Sequence, residues 1–225
     1  MPHIPESLRD IQRTIAKEVV LQDQLPIESI KRIGAFDCSQ VGDKLICAAI
    51  VLDYPSMNVV ERQYLIKRAP MPYVPGYLAF REGPLMLELY YKLENDPDVL
   101  MVDGHGVAHP VGCGLACYVG VELHKPTIGV AKSLLLGQVD GERIILDGIE
   151  VGKIVQTRQH AKPVFVTPGH LITIETAAQL TAKCVIPPHK LPEPIHIAHR
   201  MADKVRDRML EESQGALKTD APEVD

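Results

Sequence analysis

Val99-Leu100-Met101-Val102-Asp103-Gly104 is an apolar run of four residues that ends on a carboxylate and a glycine. Such a run, with no polar alternation, is the pattern of a strand buried on both faces, as parallel strands are between layers of helices. Just downstream, Leu115–Glu122 has helical spacing and Thr127–Ala131 is a second short apolar run. Strand, helix and strand of these lengths form a parallel crossover unit. The centre of the fold is therefore read as α/β.

Upstream, Leu78, Leu85, Leu89 and Leu93 are spaced for the buried face of a helix over Gly76–Glu94, with Pro84 expected to kink or restart it near Glu82. Three β-like runs come earlier, Arg32–Ser39, Lys44–Tyr54 and Val59–Arg68, joined by the turn signals Gly42-Asp43 and Pro55-Ser56. Connections this short imply an antiparallel meander. Residues 5–22 form an amphipathic helix, with Leu8, Ile11, Ile15 and Val19 on one face. Downstream, 134–167 is β-rich with glycine punctuation. Pro168-Gly169-His170 is expected to open a helix whose N–H groups favour an anion, before helices at Ile174–Cys184 and Ile195–Leu210. The sum is one mixed α/β domain over residues 1–210. Its sheet has three antiparallel strands followed by parallel strands, with helices on both faces.

The chain of 225 residues is 46% hydrophobic, enough for one sizeable core without disulfide or metal staples. Its five cysteines are an odd number with no secretory signal ahead of them, and no apolar run approaches the roughly 18 residues of a membrane span. Reduced thiols, a cytoplasmic location and no membrane association are expected. The formal charge of −5 argues at first against a nucleic-acid partner. Residues 211–225, however, hold five acids against Lys218 alone, so −4 belongs to a polar segment expected to be a disordered tail. The body is close to neutral. Two stretches of it, 62–81 and 153–174, contain basic residues and no acid. They are either solvated faces or tracks for a phosphate backbone.

The chemistry sits at strand ends. Asp37 interrupts the first β run and Asp103 closes the apolar one, on strands that are natural neighbours in this order of elements. Glu82, early in the intervening helix, can reach the same point. Three carboxylates at one point repel unless a cation joins them, and oxygen donors suit Mg²⁺ or Mn²⁺. Metal-assisted phosphodiester hydrolysis follows. The plainer alternative is that Asp103 opens a turn and Glu82 is solvated. Lys132, at the end of a buried strand, is placed either to meet a phosphate or to snorkel. His105, His109, Cys113 and Cys117 have a spacing that hints at zinc, but the glycines and Pro110 between them preclude the continuous helix it would need. Three prolines stiffen Pro70–Gly76 around Tyr73, an aromatic that either wedges into a base stack or packs on the next helix.

PYVPGYLAFREGP (72–84), DGHGVAHPVGCGLACYVGVELHKPTIGVAKS (103–133), VTPGHLITIETA (166–177) and PEPIHIAHR (192–200) together resemble endonuclease V, in order and spacing, from about residue 5 to residue 208. The resemblance implies a ribonuclease H-like fold and a repair enzyme dependent on Mg²⁺, for which Mn²⁺ can substitute. Its substrate would be inosine-containing DNA, with RNA a second candidate, cut at the second phosphodiester bond 3′ to the lesion to leave 3′-hydroxyl and 5′-phosphate ends. Asp37 and Asp103 match the metal-binding aspartates and Glu82 their carboxylate partner. Lys132, His109 and His199 match further catalytic positions, and Tyr73 the wedge. Amides of Gly104 and Gly106 are expected at the base, with Arg81 and His170 on the substrate side. A monomer is expected. Phe36 beside Asp37, His105 where Gln or Asn is common, and the acidic tail depart from the family pattern. Two other functions stay open: a lesion-binding module without catalysis, and a junction resolvase, which would need a dimer and leave the PYVPG loop unexplained.

Overall fold

The structure is a computed structural model that describes residues 6–158 and 162–219; His160 of the second basic stretch and the last six residues of the expected tail lie outside it. Three strands come first, β1 (Arg32–Val41), β2 (Lys44–Asp53) and β3 (Asn58–Arg68), paired antiparallel in sequence order. Eight consecutive residues of β2, Leu45–Leu52, are buried, as befits a central strand. β3 alternates exposed and half-buried residues, the pattern of an edge strand with one face in solvent.

Helix α2 (Leu78–Tyr90) leads to β4 (Val99–Asp103), which pairs parallel with β1; α3 (Leu115–Leu123) then leads to β5 (Thr127–Ala131), parallel to β4. This is the expected meander and crossover. Pro84 neither restarts nor ends α2, which continues through it as one helix. The lost backbone hydrogen bond is offset by a face of Ala79, Leu85, Met86 and Leu89 buried against the sheet.

The same sheet then turns antiparallel. β6 (Gln138–Asp140), β7 (Arg143–Leu146), β8 (Ile149–Val155) and β9 (Val164–His170) complete nine strands in the order β3-β2-β1-β4-β5-β9-β8-β7-β6. Pro168-Gly169-His170 therefore does not open a helix. It ends β9, hydrogen-bonded to β5, and α4 (Ile174–Lys183) starts after a Thr173 cap. Helix α5 spans Glu193–Thr219 and so carries the chain well past the boundary expected at residue 210. Ala, Leu, Glu and Lys are good helix formers, so the acidic composition of this segment does not break the helix.

One apolar core lies under α4 and α5, with Ile33, Ala35, Met101 and Ile128 from the strands; the other lies under α2 and α3, with Phe36, Leu100 and Val102. Helix α1 (Glu6–Glu18) adds a small cluster through Ile15 against Cys113, Cys117 and Val121. Helices thus cover both faces of the mixed sheet, the ribonuclease H-like arrangement. Among the described residues no helix is long and apolar enough to cross a membrane.

Candidate active site

Register decides the centre of the site. In the parallel pair, Phe36 on β1 faces Val102 on β4, so the next residue on each strand, Asp37 and Asp103, lies side by side. Successive side chains alternate between faces. Phe36 is fully buried under α2 and α3, worth roughly 1.5–3 kcal/mol as a strand anchor, and this turns Asp37 toward α5. There His199, in the second turn of α5, brings Nδ1 to 2.6 Å from Asp37 Oδ2. One ligand atom each from Asp37, Asp103 and His199 lies within 4.8 Å of the others, the group among the described residues able to hold a metal ion.

Two carboxylates and one imidazole at this spacing suit a divalent cation that takes its remaining ligands from water and phosphate oxygens. The electrostatics agree. Burial, followed by the charge of Asp37, raises the pKa of Asp103. Burial pushes Glu82 up to about 7 against the opposing charge of Arg81, with Asp37 and Asp103 adding to the rise. Glu82 stands beside the three-residue group rather than within it. Lys132, just past β5, donates to Asp103 Oδ2 at 2.8 Å. The Asp37 hydrogen bond raises the pKa of His199.

Next to the carboxylates is a cavity of about 390 Å³ whose wall includes Asp103, Gly104, His105, Lys132 and Tyr73. Tyr73 is 63% exposed. It stands between this cavity and a second one, lined by Gln40, Arg68 and Arg81. Arg81 is buried, donates to Gln40 and Glu82, and leaves Nε without a partner.

Two residues hold the Tyr73 loop. Gln12, buried on α1 and unnoticed in the sequence, donates from Nε2 to the carbonyls of Gly76 (3.1 Å) and Cys113 (2.8 Å). His109 Nε2 lies 2.9 Å from the same Gly76 carbonyl, while the Val111 N–H donates to its Nδ1 at 3.3 Å. That pair of bonds fits a neutral ring protonated at Nε2, in keeping with a pKa lowered by burial. His109 is thus placed at the loop and not at the carboxylates. His105 bonds the Ser133 carbonyl at 2.9 Å, and Cys113 and Cys117 pack in the α1–α3 cluster, so the four form no zinc site.

Other expected positions are corrected. The Gly104 N–H donates to Val130 O and the Gly106 N–H to Thr167 Oγ1, so neither amide is open to a base. Gly106 is glycine for closeness: a Cβ there would sit 2.0 Å from Pro168 O. His170 pairs with Thr127, at the opposite end of β5 from Lys132, and its Nδ1 accepts the Val20 N–H. It is a buried link to the chain after α1, away from the carboxylates. The basic stretches are also less bare than their sequence. Lys67 pairs with Glu88, Arg68 with Asp43, and Lys153 with Glu175.

Residues 13–200 match the sequence model of the family described as endonuclease V. The endonuclease V of Archaeoglobus fulgidus is 37% identical over 206 residues, covering 89% of this chain and 93% of that protein. The crystal structure of endonuclease V from Bacillus subtilis is similar with a TM-score of 0.86 at 29% identity, over 93% of this chain and 95% of that one. Ciona intestinalis endonuclease V, solved in complex with a 24mer DNA containing an inosine followed by a ribo-adenosine, is similar with a TM-score of 0.83 at 26% identity, over 90% and 98%. With the family pattern spanning most of its length and the carboxylates of a nuclease at its sheet centre, this chain belongs to the endonuclease V family of endonucleases.

Proposed function

We propose that the chain is a Mg²⁺-dependent endonuclease that nicks inosine-containing strands at the second phosphodiester bond 3′ to the lesion, leaving 3′-hydroxyl and 5′-phosphate ends. The observation that carries this is shared geometry: Asp103 of the carboxylate cluster and Lys132, which donates to it, both line the 390 Å³ cavity. That volume is near the lower end of ligand pockets, which run from about 300 to 1,000 Å³, and suits one extruded base with its sugar. A base held there leaves the backbone a short step from Asp37 and Asp103. The Ciona relative, bound to inosine-containing DNA, supports the substrate class.

Asp37 and Asp103 would hold Mg²⁺, or Mn²⁺ in its place, beside His199; when bound, the ion supplies Lewis-acid charge to the phosphate under attack. Glu82, half-buried beside both aspartates, orients the attacking water and takes its proton. The Lys132 ammonium offsets negative charge developing on the phosphate oxygens. Tyr73, on the ridge between two cavities, fills the gap left by the extruded base.

The test is a nicking assay on matched inosine and adenine oligonucleotides, as DNA and as RNA, with Mg²⁺. A nick one nucleotide beyond the 3′ neighbour bond of inosine is the expected product; no nicking, or equal nicking of the adenine control, overturns the function. Tyr73→Ala should lower the preference for inosine over adenine strands by about tenfold, more than it lowers the single-turnover rate at saturating enzyme. Gln12→Ala should act in the same direction. It frees the Gly76 and Cys113 carbonyls from their common donor, at about 1–3 kcal/mol of stability, and loosens the Tyr73 loop. A Gln12→Ala protein with parental melting temperature and parental discrimination would remove Gln12 from this positioning role.

A further inference from the structure

A groove of about 900 Å³ runs between α5 and the exposed face of β3, on the α5 side of the sheet. Arg62 and Tyr64 line it from β3; Arg200, Lys204 and Arg208 line it from α5. The three helical cations are spaced i, i+4, i+8, so they form a straight stripe at about 6 Å intervals, comparable to one nucleotide step of a phosphate backbone. Among the described residues, Arg62, Arg200, Lys204 and Arg208 make no ion pair, unlike Lys67 and Arg68 on β3 and Arg206 on α5. The groove's acids Asp203 and Asp207 are both held by Arg206, which leaves Glu211 as the unpaired acid on its wall.

The groove lies beside the carboxylate site, linked to it through α5. Asp37 on β1 is in register with Ala48 on β2, which is in register with Tyr64 on β3, so the three share one face of the sheet. Two strand spacings put Tyr64 about 10 Å from Asp37. Tyr64 is 45% exposed, though it points toward the same helix that supplies His199. On α5, Arg200 directly follows His199, and Asp203 both lines the groove and approaches His199 Nε2 at 3.5 Å. An exposed aromatic among unpaired cations is the composition of a single-strand platform, in which bases stack on the ring and phosphates meet the charges.

We propose that this groove binds the nucleic-acid strand as it leaves the cut site, with Arg62, Arg200, Lys204 and Arg208 on successive phosphates and Tyr64 under a base. This rests on the chain acting on nucleic-acid strands at Asp37 and Asp103. It adds a backbone-binding subsite that lies away from the base cavity. Affinity gained in the groove is independent of sequence and lesion, so it sets how strongly flanking length and salt affect the enzyme.

The experiment compares three single-stranded inosine oligonucleotides, one short and two extended on either the 5′ or the 3′ side, plus an undamaged strand of the extended length. Two variants are used, Arg200→Glu/Lys204→Glu/Arg208→Glu on the helix and Arg62→Glu/Tyr64→Ser on the strand, so that a folding failure of one leaves the other informative. One extension should tighten binding to the parent protein. In each variant that advantage should fall about tenfold, and the salt dependence of the triple variant, as log K against log salt, should drop by ~2 for three lost phosphate contacts. Parental extension advantage and parental salt slope in both folded variants overturn the proposal. Binding of the undamaged strand separates the two ideas: if the parent fails to nick inosine, the proposed function fails, while loss of salt-dependent binding in the variants still upholds the groove.

Discussion

Asp37→Asn is expected to reduce cleavage of an inosine strand by about a thousandfold or more while the protein stays folded and still binds the strand. The rate loss follows from the position of Asp37, one of two carboxylates that would hold the cation, in a place where several kcal/mol of charge stabilisation is at stake. The retained fold follows from the substitution. An Asn oxygen can still accept the Cys38 N–H that reaches Asp37 Oδ1 at 2.7 Å, and the amide nitrogen can lie toward His199. Removing the charge also relieves repulsion, since Asp37 is among the causes that raise the pKa of both Glu82 and Asp103. The melting temperature should therefore stay level or rise in the absence of divalent ions, the mark of a site kept at a cost to stability. Asp103→Asn should behave alike, except that Lys132 loses its carboxylate partner and some of that gain. The measurements are single-turnover cleavage, strand binding and thermal melting on the same preparations. Full activity in either variant sinks the site; lost activity with lost folding would instead make the aspartate a structural residue.

The centre of this site was legible in the sequence because it depends on local features. An apolar run ending in Asp103 and a β run broken by Asp37 place both carboxylates at strand ends, and the element order makes the strands neighbours. What was not legible depends on partners distant in the chain. Gln12 looks like any polar residue of an amphipathic helix until the loops bearing Gly76 and Cys113 close over it. The Pro-Gly pair before His170 carries a turn signal, yet β5 supplies a hydrogen-bonding neighbour that keeps the segment in the sheet. The basic stretches carry no acid of their own, whereas Glu88, Asp43 and Glu175, from other segments, neutralise Lys67, Arg68 and Lys153. Arg62 belongs to one of those stretches, but its fellow cations on α5 lie some 140 residues away and became visible only with the helix in place.

Those pairings also change what the net charge means. The segment 211–225 accounts for most of the −5, and Asp37, Glu82 and Asp103 together are a cation site rather than a repellent surface. With them set aside, Arg62 on β3 and Arg200, Lys204 and Arg208 on α5 line one groove beside the cut site. An acidic chain can thus carry a basic track, provided that its acids are paired, gathered around a metal or placed outside the track.

Chelation should abolish cleavage altogether, and Mg²⁺ should restore it in full, with Mn²⁺ also effective. The carboxylate cluster is the reason. Glu82 and Asp103 are half-buried beside Asp37, and burial and the charge of Asp37 raise the pKa of both, so the charged form of the site is unfavourable until a cation enters. Two carboxylates and one imidazole leave room for water and phosphate oxygens, which matches the preference of Mg²⁺ and Mn²⁺. Binding that favours the folded state must also stabilise it, by about 1.4 kcal/mol at an ion concentration ten times the dissociation constant. Mg²⁺ should therefore raise the melting temperature of the parent protein, and this rise should vanish in Asp37→Asn and Asp103→Asn. That second readout needs no substrate. It separates a site that fails to bind the ion from one that binds it without cutting. Restoration by Zn²⁺ alone would point back to His105, His109, Cys113 and Cys117, two of which bond loop carbonyls while the other two lie in an apolar cluster. Activity that survives exhaustive chelation would leave the acids without a role, and with them the whole assignment of this sheet edge to phosphodiester hydrolysis.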